Sequence, residues 1–203
     1  MDKSNLLAYF VRHGTTAANE EGLFRGRLNP ALDEAGIQDA LKLKEYFKHT
    51  EFGDAFTSDT LRSQTTAATV LQPHEISPII VPELNAIDIG RLAGQKKSDH
   101  QAEVNYFQNN PNEPFPGGES INQFRGRVRP AISHAIKRGF ETGLPSVAFV
   151  HSSIIHEVGN MIHGDHLASL VKPGGVVGVF HTGGHFIAKA LIKPETKSHN
   201  YGS

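Results

Sequence analysis

Apolar residues along this chain alternate between short continuous runs and longer segments in which they recur every three or four positions. The two clearest runs cover residues 6–11 and 146–150, and a polar segment that contains a histidine follows each of them at once. Such runs are typical of strands that are buried on both faces of a parallel sheet. Shorter runs at residues 54–57 and 79–81 predict two further strands.

The first segment with helical spacing begins at Ile37, from which Ala40, Leu41 and Phe47 recur on one predicted face. Asp33 stands shortly before this segment. An aspartate at that position can accept hydrogen bonds from the free N–H groups of the first helical turn. We therefore predict a helix that is capped at its N-terminus by Asp33.

Three further helices are predicted, over residues 59–71, 119–137 and 154–163. In the first of them the predicted buried face carries Leu61, Thr65, Ala68 and Leu71 or Gln72. Pro130 should kink or interrupt the second, because proline lacks an N–H and its ring clashes with the preceding turn. Residues 96–118 are polar and rich in proline, which favours a short helix followed by a loop.

A hairpin is predicted near the end of the chain. Residues 176–181 and 185–192 flank Thr182-Gly183-Gly184, a combination typical of a tight turn between antiparallel strands. Together, the alternating strands and helices predict a single domain over residues 1–203. Its expected fold is an α/β three-layer sandwich with a mostly parallel central sheet, one antiparallel strand and flanking helices.

Composition narrows the possible functions. The chain has 203 residues, a formal net charge of -1 and no cysteine. The low charge argues against nucleic acid or a membrane surface as a partner, and the absence of cysteine excludes disulfides and thiolate chemistry. No apolar run approaches the roughly 20 residues that span a bilayer, and no signal peptide is recognisable. We expect a cytoplasmic protein, and a homo-oligomer is compatible with the sequence.

Polar residues follow three of the predicted strands. These segments are Arg12-His13-Gly14, Ser58 through Arg62, and His151-Ser152-Ser153. Open α/β sheets bind ligands beyond the carboxyl ends of their strands, where helix N-termini also favour anions. The forked guanidinium group of arginine suits phosphate oxygens especially well. Two arginines and two histidines at this edge therefore predict an oxyanion site.

Three sequence blocks carry a resemblance to a known family. They are FVRHGTTAAN at residues 10–19, TSDTLRSQTTA at residues 57–67 and FVHSS at residues 149–153, with GGES at residues 117–120 as a further element. In this order they resemble the histidine phosphatase superfamily, which includes phosphoglycerate mutases, fructose-2,6-bisphosphatase and acid phosphatases. The resemblance spans nearly the whole chain and implies a phosphoglycerate mutase-like fold.

The resemblance implies that His13 attacks phosphorus, becomes phosphohistidine and is then released by water. Arg12, Arg62 and His151 would hold the peripheral oxygens, on which charge spreads during transfer. Asn19 matches a family position that can donate a hydrogen bond to the phosphoryl group. No metal or cofactor is implied, because the arginines would supply the positive charge.

The chain departs from the family at the residue that usually protonates the leaving oxygen. Many members place a glutamate there, four residues before a glycine; aligning on Gly90 puts Ala86 at that position. Asp88 is the acid that we favour, although a structural Asx turn is an equally good reading of it. Glu83 and Glu119 are alternatives, as is a leaving group that needs no acid, as in aryl phosphates, acyl phosphates or phosphoramidates. An engineered Ala86 is a further explanation.

Several other polar residues have competing interpretations. Asn19 could act only as a cap or turn residue. Arg25 and Arg27 could hold a second anionic group, but we interpret them as solvated loop charges. The cluster from His163 to His166 suggests a metal site, yet zinc normally needs three or four supported ligands, and we predict none.

From these observations we predict a metal-independent phosphatase that acts on a small phosphomonoester or a similar phosphoryl compound. A phosphoglycerate mutase-type phosphoryl transferase is the alternative within the family. A non-catalytic relative that only binds phosphate is the alternative from another class. Ala86 favours this last reading, whereas the intact set of Arg12, His13, Arg62 and His151 opposes it.

Overall fold

The computed structural model describes residues 5–162, 167 and 171–192. Six strands form one sheet: β1 (Asn5–Arg12), β2 (Ala55–Thr57), β3 (Ile79–Ile80), β4 (Ser146–Val150), β5 (Val176–Thr182) and β6 (His185–Ile192). The helices are α1 (Ala17–Glu20), α2 (Glu34–Phe47), α3 (Leu61–Leu71), α4 (Gln101–Asn109), α5 (Ile121–Thr142) and α6 (Ser152–Met161).

The sheet has the strand order β3-β2-β4-β1-β5-β6. All neighbouring strands from β3 to β1 pair in parallel, whereas β5 pairs antiparallel with both β1 and β6. The prediction of a mostly parallel sheet with one antiparallel strand is therefore confirmed. Strands β1 and β4 occupy its centre, which explains why their sequences are apolar runs without alternation.

Helices cover both faces of the sheet. Side chains alternate along β1, so that Tyr9 and Val11 pack with α2 and α3, whereas Ala8 and Phe10 pack with α5 and α6. A smaller apolar cluster lies beneath α4 and the loops around it, and consists of Ile89, Leu92, Phe107 and Phe115. The predicted three-layer arrangement is confirmed by these two main cores. Within the described residues, no helix is long and apolar enough to cross a membrane.

Helix α2 begins as predicted, and its buried face contains Ala40 and Phe47 as predicted but not Ile37 and Leu41. A carboxylate oxygen of Asp33 accepts a hydrogen bond of 2.7 Å from the backbone N–H of Gly36, which confirms the cap. Ile37 and Leu41 are exposed, and the buried residues are Gly36, Ala40, Leu43 and Phe47. The reason is the close approach of the helix to the loop after β1. A Cβ atom on Gly36 would lie 2.0 Å from the carbonyl oxygen of Thr15.

The predicted face of α3 is also wrong. Leu61 is exposed, and the helix instead buries Arg62, Ser63, Thr66, Ala67, Val70 and Leu71. Apolar periodicity could not find this face because its first turn is occupied by a fully buried arginine. The burial of Arg62 is required by the functional site, which is described below.

Pro130 does not interrupt α5, which continues to Thr142. Val128 and Ile132, on either side of the proline, are fully buried. Their packing stabilises the helix across the position at which one backbone hydrogen bond is lost. Ser120 provides an additional start signal, because it forms a capping box with Gln123.

The hairpin between β5 and β6 has a turn of two residues rather than three. Gly183 and Gly184 have φ angles of 56° and 79°, while Thr182 pairs with His185 as part of the sheet. Positive φ at both central positions is the requirement of a type I′ turn, which only glycine and a few polar residues meet readily. His163 and His166 lie outside the described residues.

Substitutions at two glycines of α5 test the close contact between this helix and β1. A Cβ atom on Gly139 would lie 2.0 Å from the carbonyl oxygen of Leu7, so Gly139→Ala must displace the helix. We expect the free energy of unfolding to fall by about 1–3 kcal/mol. Gly126 in the same helix has open space around its Cα, and Gly126→Ala should instead stabilise the protein by about 0.5–1 kcal/mol. Urea unfolding of both variants measures the difference, and equal effects would contradict the proposed contact.

Candidate active site

The carboxyl ends of β1, β2 and β4 bring the predicted site residues together. His13 follows β1 and donates its backbone N–H to the carbonyl of Val150 at the end of β4. His151 follows β4 directly and forms the N-cap of α6. Both histidines are buried, and their ring centroids are 5.2 Å apart. Arg62 reaches the same place from the first turn of α3.

Two contacts determine which nitrogen of His13 is free to react. Nδ1 lies 2.7 Å from the carbonyl oxygen of Gly14, and since that oxygen can only accept, Nδ1 carries the proton. On the other side of the ring, Nε of Arg62 donates to Nε2 of His13 at 3.2 Å. Nε2 therefore presents a lone pair, which is the state that a nucleophilic imidazole needs.

The surroundings of His13 also keep it neutral. Burial lowers its pKa well below the ordinary value, and the charges of His151, Arg62 and Arg25 lower it further. The hydrogen bond to Gly14 opposes this shift but does not outweigh it. Protonation of His13 is thus disfavoured under conditions in which an exposed histidine would already be charged.

Arg12 and Arg62 are held by backbone carbonyls. Nη1 of Arg12 donates to Val171 at 2.8 Å, and Nη1 of Arg62 donates to Leu28 at 2.6 Å. Burial, followed by the charge of Arg25, lowers the pKa of each guanidinium to about 10. Both groups stay cationic at neutral pH, and carbonyl partners orient them without neutralising their charge.

His151 is oriented by a short chain of hydroxyl groups. Its Nε2 lies 3.0 Å from Oγ of Ser58, which in turn lies 3.0 Å from Oγ1 of Thr60. Burial, followed by the charges of Arg62, Arg25 and Arg12, lowers the pKa of His151 well below its ordinary value. Ser58 is thus a positioning residue of the site, although the sequence pattern showed only that it follows β2.

Arg25 belongs to the site, and its interpretation as a solvated loop charge is wrong. Its side chain is half-buried and lines the same cavity as Arg62 and His151, whereas the neighbouring Arg27 is exposed. Burial lowers the pKa of Arg25. Sequence spacing could not separate the two arginines, because they lie in an irregular loop without a period.

Three buried polar atoms at this site have no hydrogen-bond partner among the described residues. They are Nε of Arg12, Nη1 of Arg25 and Nδ1 of His151. Buried polar groups are nearly always paired, because an unpaired one costs free energy. Unpaired nitrogens on two cations and a histidine indicate that the site is built for an anion.

Asn19 serves as a helix cap. Its Oδ1 accepts hydrogen bonds from the backbone N–H and the Oγ1 of Thr16, at 3.1 and 2.9 Å. These bonds form a capping box at the start of α1. Oδ1 of Asn19 is engaged in this cap, so only the amide nitrogen could donate a hydrogen bond to a phosphoryl group. That donation stays a prediction.

The structure does not bring the three candidate acids into the cavity wall. Oδ1 of Asp88 accepts the backbone N–H of Gly90 at 3.0 Å, which supports the Asx-turn reading. The carboxylate of Glu119 is paired with Arg127 at 2.6 and 2.9 Å, and Glu83 is exposed. Ala86, by contrast, does line the cavity. The position at which the resemblance predicts an acid therefore lines the cavity and carries only a methyl group.

Next to the anion site lies a cavity of about 540 Å³. Much of its wall is apolar and includes Phe24, Ile87, Ile89, Phe115, Ile121 and Phe124. Val104 of helix α4 and Lys97, which lies shortly before that helix, also line the cavity. Among the described residues, no group of three acidic or histidine side chains is arranged to hold a metal ion.

Glu157 supplies a carboxylate to the same cavity. Burial alone would raise its pKa, but hydrogen bonds from Asn160 and Arg129 and the charges of Arg129 and Arg125 lower it below the ordinary value. Arg129 donates at 2.7 Å and Asn160 at 2.9 Å. Sequence reasoning missed this residue, because a lone glutamate on a predicted helix reads as a solvated charge.

A sequence profile of the histidine phosphatase superfamily (branch 1) matches residues 8–175. The chain belongs to the histidine phosphatase superfamily. This confirms the resemblance that the three sequence blocks carried, and the convergence of β1, α3 and β4 at one edge of the sheet explains how blocks so far apart in the chain form one site.

Individual members of the superfamily are similar to this chain at moderate identity. A 2,3-bisphosphoglycerate-dependent phosphoglycerate mutase of Methylorubrum populi is 34% identical over 134 residues, which cover 61% of this chain and 63% of that protein. A mutase of the same name from a Bradyrhizobium species is 30% identical over 74% of this chain and 77% of its own length. The crystal structure of phosphoglycerate mutase from Thermus thermophilus superposes with a TM-score of 0.67 at 29% identity, over 87% of this chain and 92% of that one. The chain thus spans less than two thirds of the length of the first of these relatives.

The buried histidines predict a specific dependence of stability on pH. The pKa values of His13 and His151 are lowered in the folded protein, so the unfolded chain binds more protons below its ordinary histidine pKa of about 6.5. This contribution to stability is complete above pH 6.5 and is lost as the pH falls below it. We expect the free energy of unfolding to decline between pH 7 and pH 5.5 by up to about 1.4 kcal/mol per pH unit for each buried histidine.

Urea unfolding in buffers without phosphate or sulfate measures this decline. His13→Gln should show a smaller decline than the wild type, whereas the exposed His49→Gln should leave it unchanged. Identical slopes for His13→Gln and the wild type would contradict the assignment of a neutral, buried His13. Addition of inorganic phosphate should stabilise the wild type, because the anion pairs with the unpartnered nitrogens.

Proposed function

We propose that this protein is a metal-independent phosphatase that hydrolyses a phosphomonoester through a phosphohistidine on His13. The observation that carries the proposal is the state of His13. Gly14 holds the proton on Nδ1, and Nε2 presents its lone pair beside Arg62, in a site with unpartnered cationic nitrogens. A nucleophile in this state would serve no purpose in a protein that only binds phosphate.

In the first step, Nε2 of His13 attacks phosphorus and the bond from phosphorus to the leaving oxygen breaks. Arg12, Arg62 and His151 surround the transferring group and stabilise the charge that spreads over its peripheral oxygens. The new positive charge on the imidazole ring is stabilised by the Nδ1–H bond to Gly14, whose carbonyl is 2.7 Å away. In the second step, water attacks phosphorus, the bond to Nε2 breaks, and inorganic phosphate leaves.

The three arginines of the site supply the positive charge that divalent cations supply in many other phosphoryl-transfer enzymes. Arg12 and Arg62 are oriented by the fold before substrate arrives, through contacts to the carbonyls of Val171 and Leu28. Preorganised charge of this kind needs little rearrangement during the reaction. Activity should therefore persist in an excess of chelator.

The cavity favours a substrate with an apolar organic part. Its wall is rich in aromatic and aliphatic side chains, among them Phe24, Phe115 and Phe124. Burial of apolar substrate surface there would contribute roughly 25 cal/mol per Å² to binding. A small, highly polar acid such as glycerate would leave this wall without complementary contacts, so the cavity supports a phosphatase for aryl or other apolar phosphomonoesters.

A phosphoglycerate mutase is the second candidate, because the relatives reported above carry that name. A mutase would return the phosphoryl group from His13 to a second position of the substrate instead of transferring it to water. The basic side chains of Arg25 and Lys97 in the cavity are compatible with a second anionic group on such a substrate. The apolar wall and Ala86 are the features that favour the phosphatase.

Hydrolysis of 1-naphthyl phosphate in excess chelator tests the proposal. Wild type should turn over, whereas His13→Ala should lose about 10³-fold or more of kcat, because the nucleophile is removed. His49→Ala, which changes an exposed histidine, should retain full activity. Quenching during turnover with an alkaline denaturant should trap a phosphoenzyme in wild type only, and this phosphoenzyme should be stable in base and labile in acid, as expected for phosphohistidine.

A parallel assay with 3-phosphoglycerate separates the two candidates. The protein would be primed with 2,3-bisphosphoglycerate before this assay. If it then interconverts the two phosphoglycerates faster than it hydrolyses naphthyl phosphate, the mutase is established instead. Equal hydrolysis by wild type and His13→Ala would contradict the mechanism for both candidates.

A further inference from the structure

We propose that Arg25 is a further catalytic residue, which stabilises negative charge on the leaving oxygen in place of proton donation by a carboxylic acid. This inference rests on the proposed phosphatase function. It accounts for two features together: the alanine at the position of the family's acid, and a half-buried arginine that the established parts of the site do not need.

The cavity wall offers no protonated carboxyl group among the described residues. Glu157 is the carboxylate that lines it, and this group accepts hydrogen bonds from Arg129, Asn160 and, at 3.4 Å, Arg125. With its pKa lowered by these partners, Glu157 is ionised at neutral pH and has no proton to donate. Ala86 contributes a methyl group to the wall.

The loop that carries Arg25 lies against the segment that carries Ala86. The Cα of Gly26 packs so closely on Ile89 that a Cβ there would lie 2.8 Å from the Ile89 side chain and 3.6 Å from the carbonyl oxygen of Ile87. Arg25 and Ala86 line the same cavity as direct neighbours of these contacting residues. The residue whose guanidinium we assign to the leaving oxygen and the residue at position 86 thus face one cavity from two segments in direct contact.

The backbone on both sides of Arg25 is anchored. Phe24 donates its N–H to the carbonyl of Gln95 at 2.9 Å and accepts from Gly94 at 2.8 Å. On the other side, Arg62 donates to the carbonyls of Gly26 and Leu28. The backbone at Arg25 is thus tied to Arg62 of the phosphoryl clamp before substrate binds.

Arg25 lines the cavity next to the clamp, and no carboxylate among the described residues forms an ion pair with it. Nη1 of Arg25 is buried without a hydrogen-bond partner among the described residues. Its charge also acts on the other groups of the site, because it is among the causes that lower the pKa values of Arg12, Arg62, His13 and His151. A substrate whose phosphoryl group is held by Arg62 and His151 would have its leaving oxygen in this cavity, where the positive charge of Arg25 is available to it.

The proposed reaction needs no carboxylic acid. Nε2 of His13 forms a bond to phosphorus, and the electron pair of the breaking P–O bond stays on the leaving oxygen, next to the guanidinium of Arg25. Arginine remains protonated throughout, so the leaving group takes its proton from water as it departs. Attack of a second water molecule on phosphohistidine returns the electron pair to Nε2 and yields inorganic phosphate and a proton.

A series of aryl phosphates from 4-nitrophenyl to phenyl phosphate tests this role. Arg25→Gln should reduce kcat/KM by about 10²-fold for phenyl phosphate, the loss expected when one preorganised donor to a developing oxyanion is removed. For 4-nitrophenyl phosphate the loss should be clearly smaller, since nitrophenolate needs less stabilisation. The dependence of log kcat/KM on the pKa of the leaving phenol should therefore become steeper than in wild type, and Arg25→Lys should restore part of the difference.

Arg27→Gln is the matched control, because Arg27 lies in the same loop with an exposed side chain. It should leave the whole series unchanged, and urea unfolding should show that Arg25→Gln is folded. An equal loss for every member of the series would overturn the inference, because Arg25 would then act only on the phosphoryl group; an absent loss would also overturn it. Neither result would contradict the proposed phosphatase function. That function is tested separately by His13-dependent turnover of the wild type. Absence of that turnover would overturn the proposed function and this inference together.

Discussion

Arg62 donates a hydrogen bond to Nε2 of His13 while Gly14 accepts one from Nδ1, and much of the structure around the site follows from this pair of contacts. A buried imidazole with a defined tautomer needs a donor on one side and an acceptor on the other. The donor is an arginine, so a full positive charge must be buried at the end of a central strand. Burying such a charge without a carboxylate partner is costly unless other groups solvate it.

The fold meets that requirement with backbone carbonyls. The carbonyls of Gly26 and Leu28 accept from Arg62, and that of Val171 accepts from Arg12. Neutral acceptors of this kind orient the guanidinium groups and leave their charge available to an anion. A carboxylate at the same places would have formed an ion pair and competed with phosphate. Among the described residues, Nε of Arg12, Nη1 of Arg25 and Nδ1 of His151 have no hydrogen-bond partner, and these nitrogens give the site its preference for an oxyanion.

Outside this charged centre, apolar side chains pack between the helices and both faces of the sheet. Two helices approach the sheet especially closely, and glycines make this approach possible. Gly36 of α2 lies directly on the loop after β1 that carries His13, and Gly139 of α5 lies on β1 itself. The contact of Gly36 holds the reactive loop, and that of Gly139 holds β1 from the other face of the sheet. The cavity beyond the site is formed by α4, the loops before it and the first turns of α5 and α6, elements whose sequences are less regular.

The sequence by itself determined the order of strands and helices, the parallel character of the central sheet and the convergence of Arg12, His13, Arg62 and His151. Continuous apolar runs specify buried strands, and residues that follow parallel strands must meet at one edge, so both conclusions depend on local pattern and general topology alone. The departure at Ala86 could likewise be read from the sequence. Tertiary structure decided which faces of α2 and α3 are buried, because close glycine contacts and a buried arginine override apolar periodicity there.

Only the tertiary structure also separated Arg25 from Arg27, placed Asp88 in a turn, and revealed Glu157 in the cavity wall. The physical reason is the same in each case. The charge state and role of a polar side chain depend on its burial, on partners that are distant in the chain and on the local backbone conformation. Arg129 is such a distant partner for Glu157. The turn from Asp88 to Gly90 is an example of local backbone conformation. A local pattern of residues contains no information about burial or about partners of that kind.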